Sequence, residues 1–94
     1  VRKKEYRKTH VFRGVTLGAN CTIICGVNIG EYAFIGAGAV INLDVKPYSL
    51  MVGVPAKQIG WMCKCGIQLK GKGEVSCECG CKYLINDDSC ELID

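Results

Sequence analysis

The sequence predicts an all-β fold in which a parallel β-helix of short strands is followed by a small cysteine-rich tail. Every sixth residue from position 11 is aliphatic, in the series Val11, Leu17, Ile23, Ile29, Ile35 and Ile41. The fifth place of each of these hexads holds a small or β-branched residue, namely Val15, Cys21, Val27, Ala33, Ala39 and Val45. No segment follows a 3.6-residue period for more than a few residues, which disfavours helices.

A period of six residues is expected when a short strand is followed by a tight corner. Three such sides make one triangular coil, and successive coils stack in parallel at the strand spacing of about 4.8 Å. The aliphatic residue and the small residue of each hexad then point into the prism. Gly18, Gly30 and Gly36 hold the second place of their hexads, and glycine tolerates the positive φ that corners often need.

The pattern divides the chain into four segments: a basic loop or the end of an upstream part at 1–10, β-helix coils at 11–46, a C-terminal loop at 47–60 and the tail at 61–94. The coils number about two, and repeat folds usually need about three units. We therefore expect upstream coils, trimerisation or both to supply stability. Pro47 and Pro55 cannot donate ladder hydrogen bonds, which is why 47–60 is predicted to be a loop.

Neither a secretory signal nor a membrane span is evident in the sequence. The N-terminus, Val1-Arg2-Lys3-Lys4, has no apolar region behind it, and no apolar run approaches the roughly 20 residues of a membrane span. We expect a cytoplasmic protein without membrane association. The chain lacks an initiator Met, which favours a partial chain.

The net charge of +3 is concentrated at the N-terminus. The cluster consists of Arg2, Lys3, Lys4, Arg7 and Lys8. It could bind phosphates or nucleic acid, or it could be an ordinary solvated segment. A nucleic-acid-binding zinc module is the weakest of our functional hypotheses, because the cluster is far in sequence from the cysteines and few aromatic residues interleave it.

The tail repeats a cysteine pattern that indicates a metal site. Six of the eight cysteines follow residue 62, in Cys63-Lys64-Cys65-Gly66, in Cys77-Glu78-Cys79-Gly80, and at Cys81 and Cys90. Four thiolates from two turns can surround one Zn²⁺ tetrahedrally, so a structural, zinc-ribbon-like site at Cys63, Cys65, Cys77 and Cys79 is predicted. Zinc turns usually have two residues between the cysteines, and Cys81 could replace Cys77 or Cys79. The absence of metal and the formation of disulfides stay open as alternatives.

The tail is expected to enclose a small hydrophobic core, the mini-core, which is too small to fold stably without a metal or another cross-link. Its predicted members are Trp61, Tyr83, Leu84 and Ile85.

Four stretches resemble the hexapeptide-repeat acyltransferase superfamily, and within it the UDP-2-acetamido-3-amino-uronate type of UDP-amino-sugar N-acetyltransferase. They are Glu5-Tyr6-Arg7, Val15–Asn20, Ile35–Val40 and, most specifically, Val52–Trp61 with its Gly-Val-Pro-Ala-Lys segment. The resemblance implies a homotrimer of left-handed prisms with acetyl-CoA in the groove between two neighbours. The amino group of a nucleotide-linked sugar would attack the thioester, while the enzyme aligns the two and stabilises the oxyanion.

The resemblance also implies two cofactor-binding segments. Gly36, Ala37, Gly38 and Ala39 would form a pantetheine strip, although small residues also suit plain corner geometry. Gly53, Val54, Pro55, Ala56 and Lys57 would flank the nucleotide end, with Lys57 facing a CoA phosphate, although this segment could simply cap the prism.

No catalytic residue is predicted within the chain. His10 is the only histidine; it has no evident acidic partner, so a surface role is favoured over that of a general base. Tyr6 and Arg7 resemble part of a substrate-facing loop, and the groups around the reacting amine would come from coils that precede residue 1. A non-catalytic β-helix plus zinc-ribbon module for assembly or protein binding is the alternative function. Cys21 is interpreted as a core filler and Cys25 as a turn residue.

Overall fold

The computed structural model describes residues 8–94, so the predictions for Tyr6, Arg7 and most of the basic cluster lie outside the described residues. The described part contains twelve strands and no helix, and therefore no helix that could cross a membrane. Its principal extents are 54 × 22 × 21 Å, an elongated shape.

Six two-residue strands form the coils that the hexads predict. They are β1 (His10–Val11), β2 (Thr16–Leu17), β3 (Thr22–Ile23), β4 (Asn28–Ile29), β5 (Phe34–Ile35) and β6 (Val40–Ile41). They pair in parallel as β1–β4, β2–β5 and β3–β6, each in a register of 18 residues, as between His10 and Asn28. The pairs β1–β4 and β3–β6 are two separate sheets, and β2–β5 lies at the edge of a larger sheet. Three separate parallel sheets are the three sides of a parallel β-helix.

The interior of the prism consists of the predicted aliphatic and small residues. Ile29, Ile35 and Ile41 are 0–1% exposed and stack with the buried small places Val27, Ala33, Ala39 and Val45. Val11 and Leu17, in the outermost described coil, are each 47% exposed although they occupy the same place in their hexads. Burial at this place therefore depends on having a neighbouring coil on each side.

The corners differ from the prediction in which residue adopts positive φ. The left-handed conformation occurs at the fourth place of successive hexads, in Gly14, Asn20, Gly26, Tyr32 and Gly38, at φ between 58° and 90°. The second-place glycines are required for a different reason, namely close approach between coils. A Cβ on Gly18 would lie 2.5 Å from the backbone nitrogen of Ala37, and one on Gly30 would lie 2.5 Å from that of Pro47.

The segment 47–60 contains two strands, whereas the sequence predicted a loop. Strand β7 (Ser49–Gly53) pairs in parallel with β5, and an isolated bridge joins Ile29 to Val45, so a third coil begins here. Strand β8 (Ala56–Met62) returns antiparallel to β7. The prolines do not prevent this, because Pro47 precedes β7 and Pro55 lies in the turn between the two strands, where no ladder donor is needed.

The tail continues from β8, which pairs antiparallel with β9 (Gln68–Leu69). A three-stranded antiparallel sheet follows, made of β10 (Gly73–Ser76), β11 (Lys82–Ile85) and β12 (Cys90–Leu92). The mini-core prediction is confirmed for Trp61, Tyr83 and Ile85, which are 9% exposed or less. It is wrong for Leu84, which is 40% exposed because alternate residues of β11 face opposite sides of the sheet.

Candidate functional site

The structure brings the two predicted cofactor segments together along one edge of the prism. Because Phe34 pairs with Leu50 and Ile35 with Met51, the strip that follows β5 runs beside the end of β7. The backbone N–H of Gly36 donates to the carbonyl of Met51 at 2.8 Å. We call the strip 36–39 together with the hairpin turn 53–57 the cofactor edge.

The cofactor edge exposes backbone on the strip and side chains at the turn. Ala37 and Gly38 are exposed, whereas Ala39 is 0% exposed and points into the prism, so its methyl group faces the core. Gly53, Val54, Pro55 and Lys57 are exposed, and Ala56 is half-buried. A Cβ on Gly36 would lie 2.9 Å from Cγ1 of Val52, so a side chain at this position would collide with the neighbouring coil.

Most N–H groups of the strip are already used within the fold. Gly36 donates to Met51, Gly38 donates to the carbonyl of Ala19 at 2.9 Å, and Ala39 donates to the carbonyl of Gly36 at 3.2 Å. Within residues 8–94, the N–H of Ala37 is the one strip donor without a backbone acceptor. The nitrogen of Ala37 lies against the neighbouring coil, 2.5 Å from where a Cβ on Gly18 would be.

A cavity of about 280 Å³ adjoins the cofactor edge on the side of Lys57. Its lining combines the turn after β6 with the start of β8: Ile41, Asn42, Leu43, Asp44, Met51, Ala56, Lys57 and Gln58. Leu43 is 73% exposed and stands at the mouth of this lining. No sequence pattern indicates this cavity, because it forms between the segment 41–44 and the hairpin residues Met51 and 56–58, which are distant in the chain.

A second cavity, of about 610 Å³, lies on the side of the prism formed by β1 and β4. It is lined by Phe12, Arg13, Asn28, Gly30, Glu31, Asp44, Val45 and Pro47. His10 is exposed on the same strand pair, with its ring 6.3 Å from that of Phe12. No motif in the sequence predicts this cavity.

The predicted metal residues form one compact cluster. The Sγ atoms of Cys63, Cys65, Cys77 and Cys79 all lie within 4.8 Å of one another, and two pairs are 3.5 Å apart. A tetrahedron with Zn–S bonds of about 2.3 Å has sulfur atoms about 3.8 Å apart. A disulfide needs about 2.05 Å, and all eight cysteines are free thiols. The arrangement therefore fits a tetrahedral four-sulfur site.

The two cysteine turns have the same backbone hydrogen bonds, which assigns a role to Cys81. In the first turn, Cys63 N–H donates to the carbonyl of Ile67 and Gly66 N–H donates to that of Cys63. In the second, Cys77 donates to Cys81 and Gly80 to Cys77, and both glycines have φ near 100°. Cys81 thus occupies the place that Ile67 holds in the first turn, outside the ligand positions. The spacing of one residue between cysteines does not prevent convergence, because the glycine lets each turn close.

Hydrogen bonds within the cluster shift the pKa values of its thiols in different directions. The N–H of Cys81 and then the Cys63 thiol lower the pKa of Cys79 to about 6. The hydrogen bond with Cys63 raises the pKa of Cys65 to about 12. Burial opposes ionisation of Cys63, but the N–H of Cys65 and the Tyr83 hydroxyl outweigh it and lower its pKa. Four sulfurs this close share charge unequally, and a bound cation would favour the thiolate at all four.

The coils match the model of a known protein family. Residues 8–42 match the family described as bacterial transferase hexapeptide (six repeats). This match covers 35 of the 94 residues. It includes strands β1–β6 and the strip 36–39, whereas the turn 53–57 and the cysteine tail lie beyond the matched residues.

Individual relatives are acyltransferases. A dTDP-3-amino-3,6-dideoxy-alpha-D-galactopyranose 3-N-acetyltransferase from Aneurinibacillus thermoaerophilus is 39% identical over 85 residues, which cover 89% of this chain and 44% of that protein. The chain therefore spans less than half the length of this relative.

Solved structures of hexapeptide proteins superpose on the coils. A hexapeptide-repeat acetyltransferase from Vibrio cholerae, complexed with acetyl coenzyme A, has a TM-score of 0.57 and 33% identity over 58% of this chain and 30% of its own. The serine acetyltransferase of Neisseria gonorrhoeae has a TM-score of 0.60 and 39% identity over 65% of this chain and 24% of its own.

Proposed function

We propose that the chain forms part of an acetyl-CoA-dependent N-acetyltransferase that acts on an amino group of a nucleotide-linked sugar. The observation that carries this proposal is the cofactor edge, where β5 and β7 place the strip and the turn 53–57 side by side. The acyltransferase relatives support the reaction class. The sugar acceptor rests on the relative whose name states a dTDP-linked amino sugar as its substrate.

The pantetheine arm would lie along Gly36–Gly38, where the absence of side chains lets an extended ligand reach the backbone. The N–H of Ala37 would donate to a pantetheine amide or to the thioester oxygen as it becomes negative. The Lys57 ammonium group would face a phosphate of the nucleotide end. Ala39 takes no part through its side chain, which belongs to the core.

In the proposed reaction the sugar amine attacks the thioester carbonyl carbon, a C–N bond forms and the C–S bond breaks. Coenzyme A leaves as a thiolate and is protonated, while the attacking nitrogen loses a proton. The fold contributes mainly alignment and stabilisation of the oxyanion. We assign the proton-accepting group to no residue of this chain, since His10 is exposed on β1, on a side of the prism other than that of the cofactor edge.

We further propose that the prism turns with a left hand and assembles as a homotrimer, with the cofactor in the groove between neighbours. Such a groove would bury exposed apolar side chains next to the cofactor edge, including Leu43 and Val54, which are 73% and 72% exposed.

Calorimetric titration of the intact protein with CoA tests the cofactor proposal. We expect Ala37→Leu to abolish detectable binding, because its side chain would occupy the strip. Lys57→Ala should weaken CoA binding up to about fivefold, as expected for an exposed ion pair, and it should have a smaller effect on dephospho-CoA if Lys57 faces the ribose phosphate.

Lys70→Ala is the matched control for Lys57→Ala, because Lys70 is also an exposed lysine but lies in the tail. It should leave CoA binding unchanged. If the intact, assembled protein has no affinity for CoA, the enzyme proposal is wrong and a non-catalytic assembly module takes its place.

We also propose that Cys63, Cys65, Cys77 and Cys79 hold one structural Zn²⁺. A tetrahedral set of four sulfurs suits zinc or iron. Within residues 8–94, no carboxylate or histidine belongs to the cluster, and four sulfur ligands leave no open position for catalysis. Elemental analysis of the purified protein should give one zinc per chain and no iron. Cys65→Ser and Cys79→Ser should each lower the zinc content, and unchanged content in both would remove them from the ligand set.

A further inference from the structure

A continuous column of aromatic rings connects the four-sulfur cluster to the corner of the prism. Tyr83 lies against Tyr48 edge to face with ring centroids 5.3 Å apart, and Tyr48 stacks on Tyr32 at 5.7 Å. The guanidinium carbon of Arg13 lies 6.0 Å from the centroid of Tyr32 at the far end. The column, defined as Tyr32, Tyr48 and Tyr83, belongs to the hydrophobic cluster of the tail and extends it to a corner of the coils.

Two members of the column are held in a conformation that tyrosine rarely adopts. Tyr32 has φ of 58° and Tyr48 has φ of 64°, and the equivalent place one coil earlier is Gly14 with φ of 73°. A positive φ in a bulky residue is strained and persists when the surroundings hold it. Here the corner holds it, since the N–H of Tyr32 donates to the carbonyl of Arg13 at 2.9 Å and that of Tyr48 to the carbonyl of Glu31 at 2.9 Å. The Tyr32 ring lies where a side chain on Gly14 would be.

The other end of the column is fixed by the first cysteine turn. Tyr83 is 0% exposed; its hydroxyl donates to Cys63 Sγ at 3.1 Å and accepts from the N–H of Lys64 at 3.0 Å. Both hydrogen-bonding functions of the hydroxyl therefore depend on the geometry of this turn. A thiolate that binds a metal is a strong, fixed acceptor, whereas a protonated thiol is a weak one that can rotate.

The middle residue of the column, Tyr48, adjoins the strand that leads to the cofactor edge. Tyr48 immediately precedes β7, and its carbonyl accepts from the N–H of Met62 at 2.7 Å. Met62 is the last residue of β8 and is followed directly by Cys63. The first metal-ligand turn is thus joined to the start of β7 by the column and by the β7–β8 ladder.

We propose that the tail is a metal-dependent clamp on the last coil, in which Zn²⁺ at the four cysteines fixes Tyr83 and Tyr83 in turn holds Tyr48 and the start of β7. This inference rests on the zinc site proposed above and deepens it, because it gives the metal a role beyond the tail itself. Metal binding and order at the cofactor edge are then positively coupled.

Hydrogen exchange on the intact protein, followed by mass spectrometry with and without a zinc chelator, tests the clamp without using CoA or activity. On metal removal we expect exchange in 48–53 to speed up about tenfold or more, together with exchange in the cysteine turns. Exchange at the core strands β4 and β5 should change little. If the turns lose protection while 48–53 exchanges as before, the clamp is overturned.

Tyr83→Phe isolates the hydroxyl, because it keeps the ring and its packing. We expect about a tenfold loss of zinc affinity, as is usual for a group that orients a metal ligand, and fast exchange at 48–53 even with zinc bound. Tyr32→Phe is the matched control, since it removes a hydroxyl at the other end of the column, and it should change neither quantity. An equal response of 48–53 to zinc in Tyr83→Phe and in the unaltered protein would overturn the role of Tyr83.

The outcomes separate this inference from the proposals on which it depends. A protein that lacks zinc by elemental analysis removes the zinc site and the clamp together. A zinc-loaded protein whose segment 48–53 ignores the metal overturns the clamp alone. Failure to bind CoA bears on the enzyme proposal and leaves the clamp standing.

Discussion

The coils and the tail of this chain bury their apolar residues by opposite means. The coils repeat one small unit, so that Ile29, Ile35 and Ile41 reach 0–1% exposure although each strand is only two residues long. The tail has no stacked strand repeat, and it encloses a few large residues around Tyr83 beside the thiols of its two cysteine turns. Each coil is stabilised by the coils stacked on it, whereas a core as small as that of the tail would depend on the proposed metal cross-link.

The largest expected effect is the loss of a metal ligand in the tail. A structural four-thiolate zinc site contributes on the order of 10 kcal/mol to the folding of a small domain. Cys77→Ala should therefore abolish zinc binding and unfold the tail, measured by zinc content and by exchange of β10–β12. The substitution removes neither Tyr83 nor Cys63, so any loss of the hydrogen bond between them follows from the loss of metal.

Cys81→Ala is the control for the loss of Cys77. Because Cys81 occupies the place of Ile67 in the repeated turn, this variant should retain one zinc per chain. Loss of zinc in Cys81→Ala, with retention in Cys77→Ala, would exchange the ligand assignment of the two residues.

The next effect concerns the core of the coils. Ile35 lies between two neighbouring coils and is fully buried, so Ile35→Ala should cost about 2–5 kcal/mol in chemical denaturation. Leu17 occupies the same place in its hexad one coil earlier but is 47% exposed, and Leu17→Ala should cost clearly less. Equal costs at the two positions would contradict the stacked-coil account of stability.

A third prediction separates backbone strain from ring packing at the corners. Gly14 and Gly38 have the same φ of 73°, but a Cβ on Gly14 would overlap the Tyr32 ring whereas one on Gly38 meets nothing within 4 Å. Gly38→Ala should cost only the backbone strain, about 1–2 kcal/mol. Gly14→Ala should cost more and should alter tyrosine fluorescence, because the ring at the end of the column must move.

The periodic part of the molecule was predictable in detail, because a six-residue repeat fixes both the strand register and the inward residues. The segment that follows was not. The rule that proline interrupts sheets gave a loop at 47–60, but Pro47 and Pro55 lie outside β7 and β8. Composition alone does not reveal whether a proline falls within a strand or between two strands.

The candidate sites divide in the same way. The cysteine spacing predicted that Cys63, Cys65, Cys77 and Cys79 converge, and their Sγ atoms lie within 4.8 Å of one another. The role of the Tyr83 hydroxyl carried no sequence signal, since its acceptor Cys63 is 20 positions away. Only the folded chain shows that the N–H of Ala37 has no backbone acceptor.

The smallest expected effect is that of a surface ion pair in the tail. Lys72 donates a hydrogen bond to Asp87, and this contact lowers the pKa of Asp87. A lowered carboxyl pKa means that the stabilisation is complete above the pKa of the unfolded chain, about 4, and is lost as the pH falls through the folded value. Both side chains are more than 70% exposed, so solvent and salt screen the pair strongly.

Asp87→Asn should lower the melting temperature slightly at pH 7 and low salt, and the difference from the unaltered protein should vanish in acid or at about 1 M salt. The difference between the two proteins is the useful quantity, because acid also protonates the thiols and destabilises both tails alike. Asp88→Asn is the neighbouring control, since its carboxylate is 92% exposed and lies 4.0 Å from Lys46. A difference for Asp87→Asn that persists in acid and in high salt would mean that charge is not its cause, and that the stability of the tail depends on more than its sulfur cluster and core.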